Sequence, residues 1–214
     1  SGEGSGGATA FCGGAPLQPM TAEGFQVLAQ RLQQGEPALF PTDTLPALAA
    51  IPSAAQAIWQ LKQRPADKPL ILMGASVEQL LPCLGQEPPA GWQRLAELGW
   101  PGALTLVLPA RGPVVEALNP EGGCSLGLRV PACEAALQLL RCSGPLATSS
   151  ANRSGEPACR TAAELAHCFP EVSRLAPEPW LPGSGQASTV VSWQSDGWRV
   201  LRQGQVVVPE ILAP

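Results

Sequence analysis

LFPTDTLPALAAIPSAAQAIWQLKQRPADKPLILM, residues 39–73, is the stretch whose reading decides the fold. It opens as a short apolar run ending in the polar turn Pro41-Thr42-Asp43-Thr44. A helix follows, then a basic turn, then a second apolar run. PALFPT (37–42) is expected as a short buried strand, Ser53 as the N-cap of the helix AAQAIWQLK, and PLILM (69–73) as the next strand. Arg64-Pro65 stops the helix, because a proline disfavours helical geometry in the residue before it. Short strands alternating with helices define an α/β domain.

The only two lysines of the chain, Lys62 and Lys68, fall in this stretch with Arg64 between them. The formal net charge is −4, so these cations form a local positive site on an acidic background. Such a site suits a small anion better than a long polyanion. A pI near 5.0 argues against a protein whose main work is gripping duplex nucleic acid. At 214 residues the chain fits one domain, with core enough to need no disulfide or metal staple. The seven cysteines form no CxxC and no Cys/His pair at zinc-ligand spacing, which fits reduced, mostly buried thiols in a cytosolic protein. No apolar run approaches the roughly 18–20 residues that span a bilayer. The first residues, SGEGSGGATAFCGG, lack the basic start and apolar core of a signal peptide and read as a flexible tail.

Working outward, TAEGFQVLAQRLQQ (21–34) is expected as a helix capped by Thr21 and ended by Gly35. Ser76 starts a helix through Leu81, and a Pro-rich joint (82–89) leads to the helix GWQRLAELG. ALTLVLPA (103–110) is a strand, 111–124 a loop and SLGLRV (125–130) a strand. Pro131 opens the helix ACEAALQLLR, and PLATSS (145–150) is a strand running into the polar loop ANRSGEP. Thr161 with Glu164 forms a capping box for AAELAHCF. STVVSW (188–193) and WRVLR (198–202), separated by a turn containing Asp196-Gly197, read as a terminal hairpin. The whole indicates an α/β domain with a mixed sheet.

Five places could carry chemistry. KQRPADKP is either an ordinary helix end, where cations favour the dipole, or an anion site at a strand–helix edge. PTDT (41–44) is either an Asx/ST turn or part of a converging site. TSSANRSG (148–155) crowds hydroxyls, an amide and backbone N–H groups suited to phosphate oxygens; an ordinary Ser/Asn loop looks the same. Arg129, inside an apolar strand, must meet an anion, either a structural carboxylate or a substrate; Arg202 poses the same choice. The lone histidine, His167, is expected in or near the core. The chain has no Walker A, GxGxxG, GxSxG or carboxylate pair, which points away from His general-base chemistry and a protein-bound zinc.

In this order, PTDT, KQRPADKPLIL, WPGALTLVL, SLGLRVP, ATSSANRSGEP and GQASTVV…LRQG resemble the YrdC/YciO family over roughly residues 20–208. The resemblance implies an α/β, YrdC-like open twisted mixed sheet with helices around a concave, positively charged cavity. It divides the chain into a flexible N-terminal tail (1–19), a YrdC-like domain (20–208) and a C-terminal tail (209–214), and the length fits the family's single-domain form. It also implies threonylcarbamoyl-AMP synthase activity: L-threonine, bicarbonate or CO2 and ATP give threonylcarbamoyl-adenylate and pyrophosphate for the t6A37 modification of tRNA. The alternatives are a divergent paralogue that handles a nucleotide without threonine, and an RNA-binding or ribosome-associated module.

By the same resemblance Lys62 and Arg64 are catalytic and hold ATP phosphates, and Thr105, Asn152, Ser188 and Arg202 complete the ATP site. Thr42, Arg129 and Ser150 hold threonine. Mg2+ arrives with ATP, and no protein metal site is expected. The implied setting is cytoplasmic and away from membranes, with separate proteins performing the transfer to tRNA and with tRNA or RNA as a further contact. The family pattern VYGL after PT[ED]T is here Leu45-Pro46-Ala47-Leu48, and PGP is Pro101-Gly102-Ala103.

Overall fold

Leucines alternate with polar or small residues along the strands, as in Leu104-Thr105-Leu106 and Leu126-Gly127-Leu128-Arg129, and this alternation organises the molecule. The computed structural model describes residues 20–65 and 67–210. Among them ten strands form one mixed sheet: β1 (Ala22–Glu23), β2 (Ala38–Phe40), β3 (Ala47–Ala50), β4 (Ile71–Met73), β5 (Leu104–Pro109), β6 (Ser125–Arg129), β7 (Leu146–Ser150), β8 (Ser173–Leu175), β9 (Thr189–Gln194) and β10 (Gly197–Arg202). The strand order is β1-β8-β2-β3-β7-β4-β6-β5-β9-β10. The helices are α1 (Phe25–Gln33), α2 (Gln56–Lys62), α3 (Val77–Leu80), α4 (Trp92–Gly99), α5 (Pro113–Leu118), α6 (Glu134–Ser143) and α7 (Ala162–Cys168).

Side chains two apart on a strand share a face. One face carries Leu48, Leu72, Leu104, Leu106, Leu128 and Ala147, which join Ile58 and Trp59 of α2, Leu95 of α4, Leu118 of α5 and Leu165 of α7 in the main core. The opposite face carries Ala47, Ala49 and Met73, which pack with Leu28 and Leu32 of α1 and Leu139 and Leu140 of α6 in a second core. On that second face the registers align Thr148 with Ile71, Ile71 with Gly127, and Met73 with Arg129. A small or polar residue at several of these positions leaves part of the face without an apolar lid. The functional cavity forms there.

The chain departs from its sequence reading in several places. β3 was not expected: Ala-Leu-Ala-Ala has weak strand propensity, yet all four residues are buried between β2 and β7. β1 takes residues 22–23 from the expected helix, which begins behind Gly24 with no Thr21 cap. β1 pairs with the unforeseen β8. Within the expected loop 111–124, Pro113 starts α5 directly after Gly112. Ser53 lies inside a 3-10 turn (Pro52–Ala54) and caps nothing; Ala55 leads α2. Cys133, not Pro131, precedes α6.

Other local expectations hold. Ser76 Oγ accepts from Gln79 N at 3.3 Å and Thr161 Oγ1 from Glu164 N at 3.1 Å, while the Glu164 carboxylate reaches back to Arg160 N at 3.2 Å. The Gln194–Gly197 hairpin turn forms as read. The lone His167, expected in or near the core, is instead exposed, on the outer side of α7. The thiols are less buried than expected: of the six described, only Cys159 is buried. The expected tail 1–19, and residues 211–214 of the C-terminal one, lie outside the described residues.

Gly99 closes α4 against β5. A Cβ there would stand 2.4 Å from Leu104 Cβ and 2.7 Å from its Cδ2. Gly99→Ala is therefore expected to cost about 1–3 kcal/mol through overpacking. At ~2–4 °C per kcal/mol for a chain of this size, the melting temperature falls by several degrees.

Candidate functional site

The open part of the sheet face floors a cavity of about 190 Å³. That is smaller than the ~300–1,000 Å³ of pockets that enclose a drug-sized ligand, so it suits a small polar ligand or the reacting end of a larger one. Its lining mixes hydroxyls (Thr44, Thr105, Ser188) with the guanidinium-bearing Arg64, Arg129 and Arg202, and contains no carboxylate. The turn after β2, the turn after α2 and the ends of β6, β7 and β10 therefore meet at one cavity.

Arg129 resolves one choice left open by its sequence. Its Nη2 donates to the Asp43 carboxylate, Nη1 to Thr44 Oγ1 at 2.8 Å and Nε to Gly102 O at 3.1 Å. Asp43 also accepts from Ala132 N at 3.1 Å. The ion pair is structural, and the same side chain lines the cavity. Thr42 has a different place from Thr44. Its Oγ1 donates to Leu45 O at 2.6 Å and accepts from Thr44 N at 3.1 Å, so it staples the PTDT turn, while Thr44 lines the cavity. The sequence reading missed Thr44; the period of two in Thr42-Asp43-Thr44 was the available signal.

The basic turn is built from the helix end. Gln63 takes a left-handed conformation (φ 54°, ψ 40°) and Arg64 N returns to Trp59 O at 3.0 Å, which reverses the chain after α2. Arg64 then ties down the far side of the turn, donating from Nε to Lys68 O (3.2 Å) and from Nη2 to Pro69 O (2.9 Å). Lys62, 2% exposed, reaches the end of β7. There its Nζ donates to Ser149 Oγ at 2.7 Å, Ser150 O at 2.5 Å and Asn152 Oδ1 at 3.3 Å. Burial, and then the neighbouring Arg64, pull its pKa down from 10.5 to about 8.

Lys62 and Asn152 stand behind the cavity wall, while Ser149 and Ser150 form that wall. Asn152 Nδ2 donates to Arg153 O and Glu156 O, which holds the ANRSGEP loop closed. On the other side of the cavity Thr105 Oγ1 and Ser188 Oγ are 2.8 Å apart. Arg202 donates from Nε to Ser188 O at 2.9 Å and from Nη2 to Ser188 Oγ at 3.2 Å. Among the described residues Lys62, Arg64 and Arg202 form no ion pair with a carboxylate. Lys68 is exposed and outside the lining. No cluster of three or more His, Cys, Asp or Glu able to hold a metal occurs among the described residues.

A family model, Sua5/YciO/YrdC, described as "Telomere recombination", matches residues 30–204. The chain belongs to the Sua5/YciO/YrdC family. It is 40% identical over 148 residues to the threonylcarbamoyl-AMP synthase of Pyrococcus abyssi, covering 67% of this chain and 43% of that protein. To the threonylcarbamoyl-AMP synthase of Bacillus subtilis it is 34% identical over 189 residues, covering 86% of this chain and 54% of that protein. The chain thus spans about half the length of these two relatives. The crystal structure of P. abyssi Sua5 complexed with L-threonine matches with a TM-score of 0.76 at 33% identity, over 86% of this chain and 56% of that one. The open twisted mixed sheet with helices is the Sua5/YciO/YrdC fold. No helix of the described residues is long and apolar enough to cross a membrane.

Proposed function

We propose that the protein is a threonylcarbamoyl-AMP synthase, which condenses L-threonine, bicarbonate or CO2 and ATP into threonylcarbamoyl-adenylate and pyrophosphate for t6A37 formation in tRNA. The observation that carries this reading is a cavity with two carboxylate-free arginines and a row of hydroxyls, in a chain similar to synthases of that name. Its uncompensated positive charge matches the phosphates of ATP, bicarbonate or carbamate, and the carboxylate of threonine.

The chemistry suits the groups present. The threonine amine adds to CO2 and loses a proton, giving a carbamate. A carbamate oxygen attacks the α-phosphorus of ATP, the bond from that phosphorus to the β-bridging oxygen breaks, and pyrophosphate leaves with the electron pair. The protein's task is to align two anions and neutralise charge at phosphorus. Arg64 and Arg202 supply that charge from the lining, Lys62 from behind it, and Thr105, Ser188 and the Asn152 loop shape the nucleotide side. Thr44 and Arg129 stand at the amino-acid side, with Thr42 beneath them and Ser150 across from them. Mg2+ enters with ATP: a lining of hydroxyls and guanidinium groups without carboxylates fits a metal carried by phosphate oxygens rather than a resident ion. The same reading places the protein in the cytoplasm, with separate t6A transfer proteins downstream and tRNA as a further contact.

The test incubates the protein with ATP, Mg2+, bicarbonate and L-threonine, following pyrophosphate release and the adenylate by mass spectrometry. Pyrophosphate strictly dependent on threonine and bicarbonate, with the adenylate's mass, is the expected result. ATP binding without that product would overturn the reading and direct attention to Leu45, Pro46 and Ala47 in the cavity wall.

A further inference from the structure

The last carbonyls of an α-helix have no partner within it and must find one elsewhere. At the end of α2 two are met by its own turn: Trp59 O accepts from Arg64 N at 3.0 Å and Gln60 O from Gln63 N at 3.3 Å. The next two are met from outside, by adjacent residues of the loop after β7. Arg153 Nη1 donates to Leu61 O at 2.9 Å and Ser154 N to Lys62 O at 2.7 Å. The same guanidinium donates from Nη2 to Cys168 O, at the end of α7, at 3.2 Å, and lies 5.2 Å from the centre of the Phe169 ring. Arg153 is half-buried, and among the described residues no carboxylate pairs with it. Its charge stands instead at the negative ends of two helix dipoles.

Lys62 is thereby held at both ends by one loop. Its backbone oxygen takes Ser154 N, and its Nζ donates to Ser149 Oγ, Ser150 O and Asn152 Oδ1. We propose that Arg153 is a positioning residue of this site: by capping α2 and α7 together it fixes the end of α2 against residues 149–154 and so sets where the Lys62 ammonium stands. The inference rests on the proposed synthase reading only for what that ammonium does to a ligand. Without the guanidinium, Leu61 O and Cys168 O lose their donors, the last turn of α2 loosens and water reaches Lys62 Nζ. Burial and Arg64 now hold the Lys62 pKa at about 8, so hydration moves it back toward 10.5. An arginine serving stability alone would change the melting temperature and leave the surroundings of Lys62 as they are.

With only two lysines in the chain, isotope-labelled lysine gives one side-chain NMR signal from Lys62 and one from the exposed Lys68. The pH titration of the Lys62 signal is followed in the wild type, Arg153→Met, Arg153→Gln and, as a destabilised control, Gly99→Ala. Arg153→Met is expected to move the Lys62 midpoint upward from about 8, and Arg153→Gln, whose amide reaches one carbonyl, to move it less. Gly99→Ala should lower the melting temperature and leave the midpoint in place. Threonine-dependent pyrophosphate release should fall up to about 10²-fold in Arg153→Met, the range of a displaced catalytic group. An unmoved Lys62 midpoint in folded Arg153→Met, or in Arg153→Gln should the methionine variant not fold, would overturn the inference. A wild type that makes no adenylate would overturn the synthase reading alone, because the titration needs no substrate.

Discussion

Lys62→Met is expected to lower threonine-dependent pyrophosphate release by a factor of about 10²–10³, the usual loss on removing one preorganised stabiliser of developing charge. At pH 7 it should leave the folded state within about 2 kcal/mol of wild type. Two opposing terms produce that near-balance. Burial and the neighbouring Arg64 hold the ammonium at a pKa of about 8 against the usual 10.5, so its charge costs about 3 kcal/mol at neutral pH, at about 1.36 kcal/mol for each tenfold change in proton affinity. Methionine removes that cost, but it also leaves Ser150 O without its donor from Lys62, a loss of about 1–3 kcal/mol.

The sign follows from proton counting. Between pH 8 and 10.5 the unfolded chain binds more protons at this lysine than the native one, so the wild type gains stability from this group as pH rises through that window. The variant has no such gain. Denaturant melts of both proteins at pH 7, 8.5 and 10 should show the difference moving in favour of the wild type. A constant difference would mean that Lys62 titrates normally and is not the desolvated charge described here.

Asp43→Ala is expected to destabilise the protein by about 3 kcal/mol, lowering the melting temperature by about 6–12 °C. The side chains of Asp43 and Arg129 are 18% and 7% exposed, so removing the carboxylate leaves a guanidinium buried with only Thr44 Oγ1 and Gly102 O. It also removes the acceptor of Ala132 N. Asp43→Ala/Arg129→Met removes both charges and should recover part of the loss, because the main penalty lies in the orphaned cation rather than in the missing pair. A double variant less stable than Asp43→Ala would show that Arg129 stabilises the sheet through packing alone. Calorimetric melts at low and high salt decide between these.

Much of this arrangement was legible in the sequence, and the parts that were not share a cause. The leucine alternation in 104–108 and 126–128, the Asp-Gly hairpin and the Ser76 and Thr161 caps are local signals that tertiary structure had no reason to override. β3 and β8 are strands because of what they lie beside: Ala47–Ala50 between β2 and β7, and Ser173–Leu175 between β1 and β2. The site divided the same way. The blocks carrying Lys62, Arg64, Arg129, Ser150 and Arg202 were visible as polar residues in apolar contexts. Which atoms face the cavity was not, because exchanging Thr42 for Thr44 or placing Asn152 behind Ser149 depends on hydrogen bonds across 2 to 90 residues.

The strand order also has a consequence for synthesis of the chain. Neighbours β3 and β7, or β5 and β9, are about 80–100 residues apart in sequence, and such remote pairings form late during folding. Arg202, the last cationic group of the cavity, arrives only with the closing hairpin at the far edge of the sheet. A growing polypeptide halted before that hairpin would possess most of its hydrophobic interior and an unfinished receptacle. The lining of the cavity is therefore complete only once residues 44–202 have all emerged.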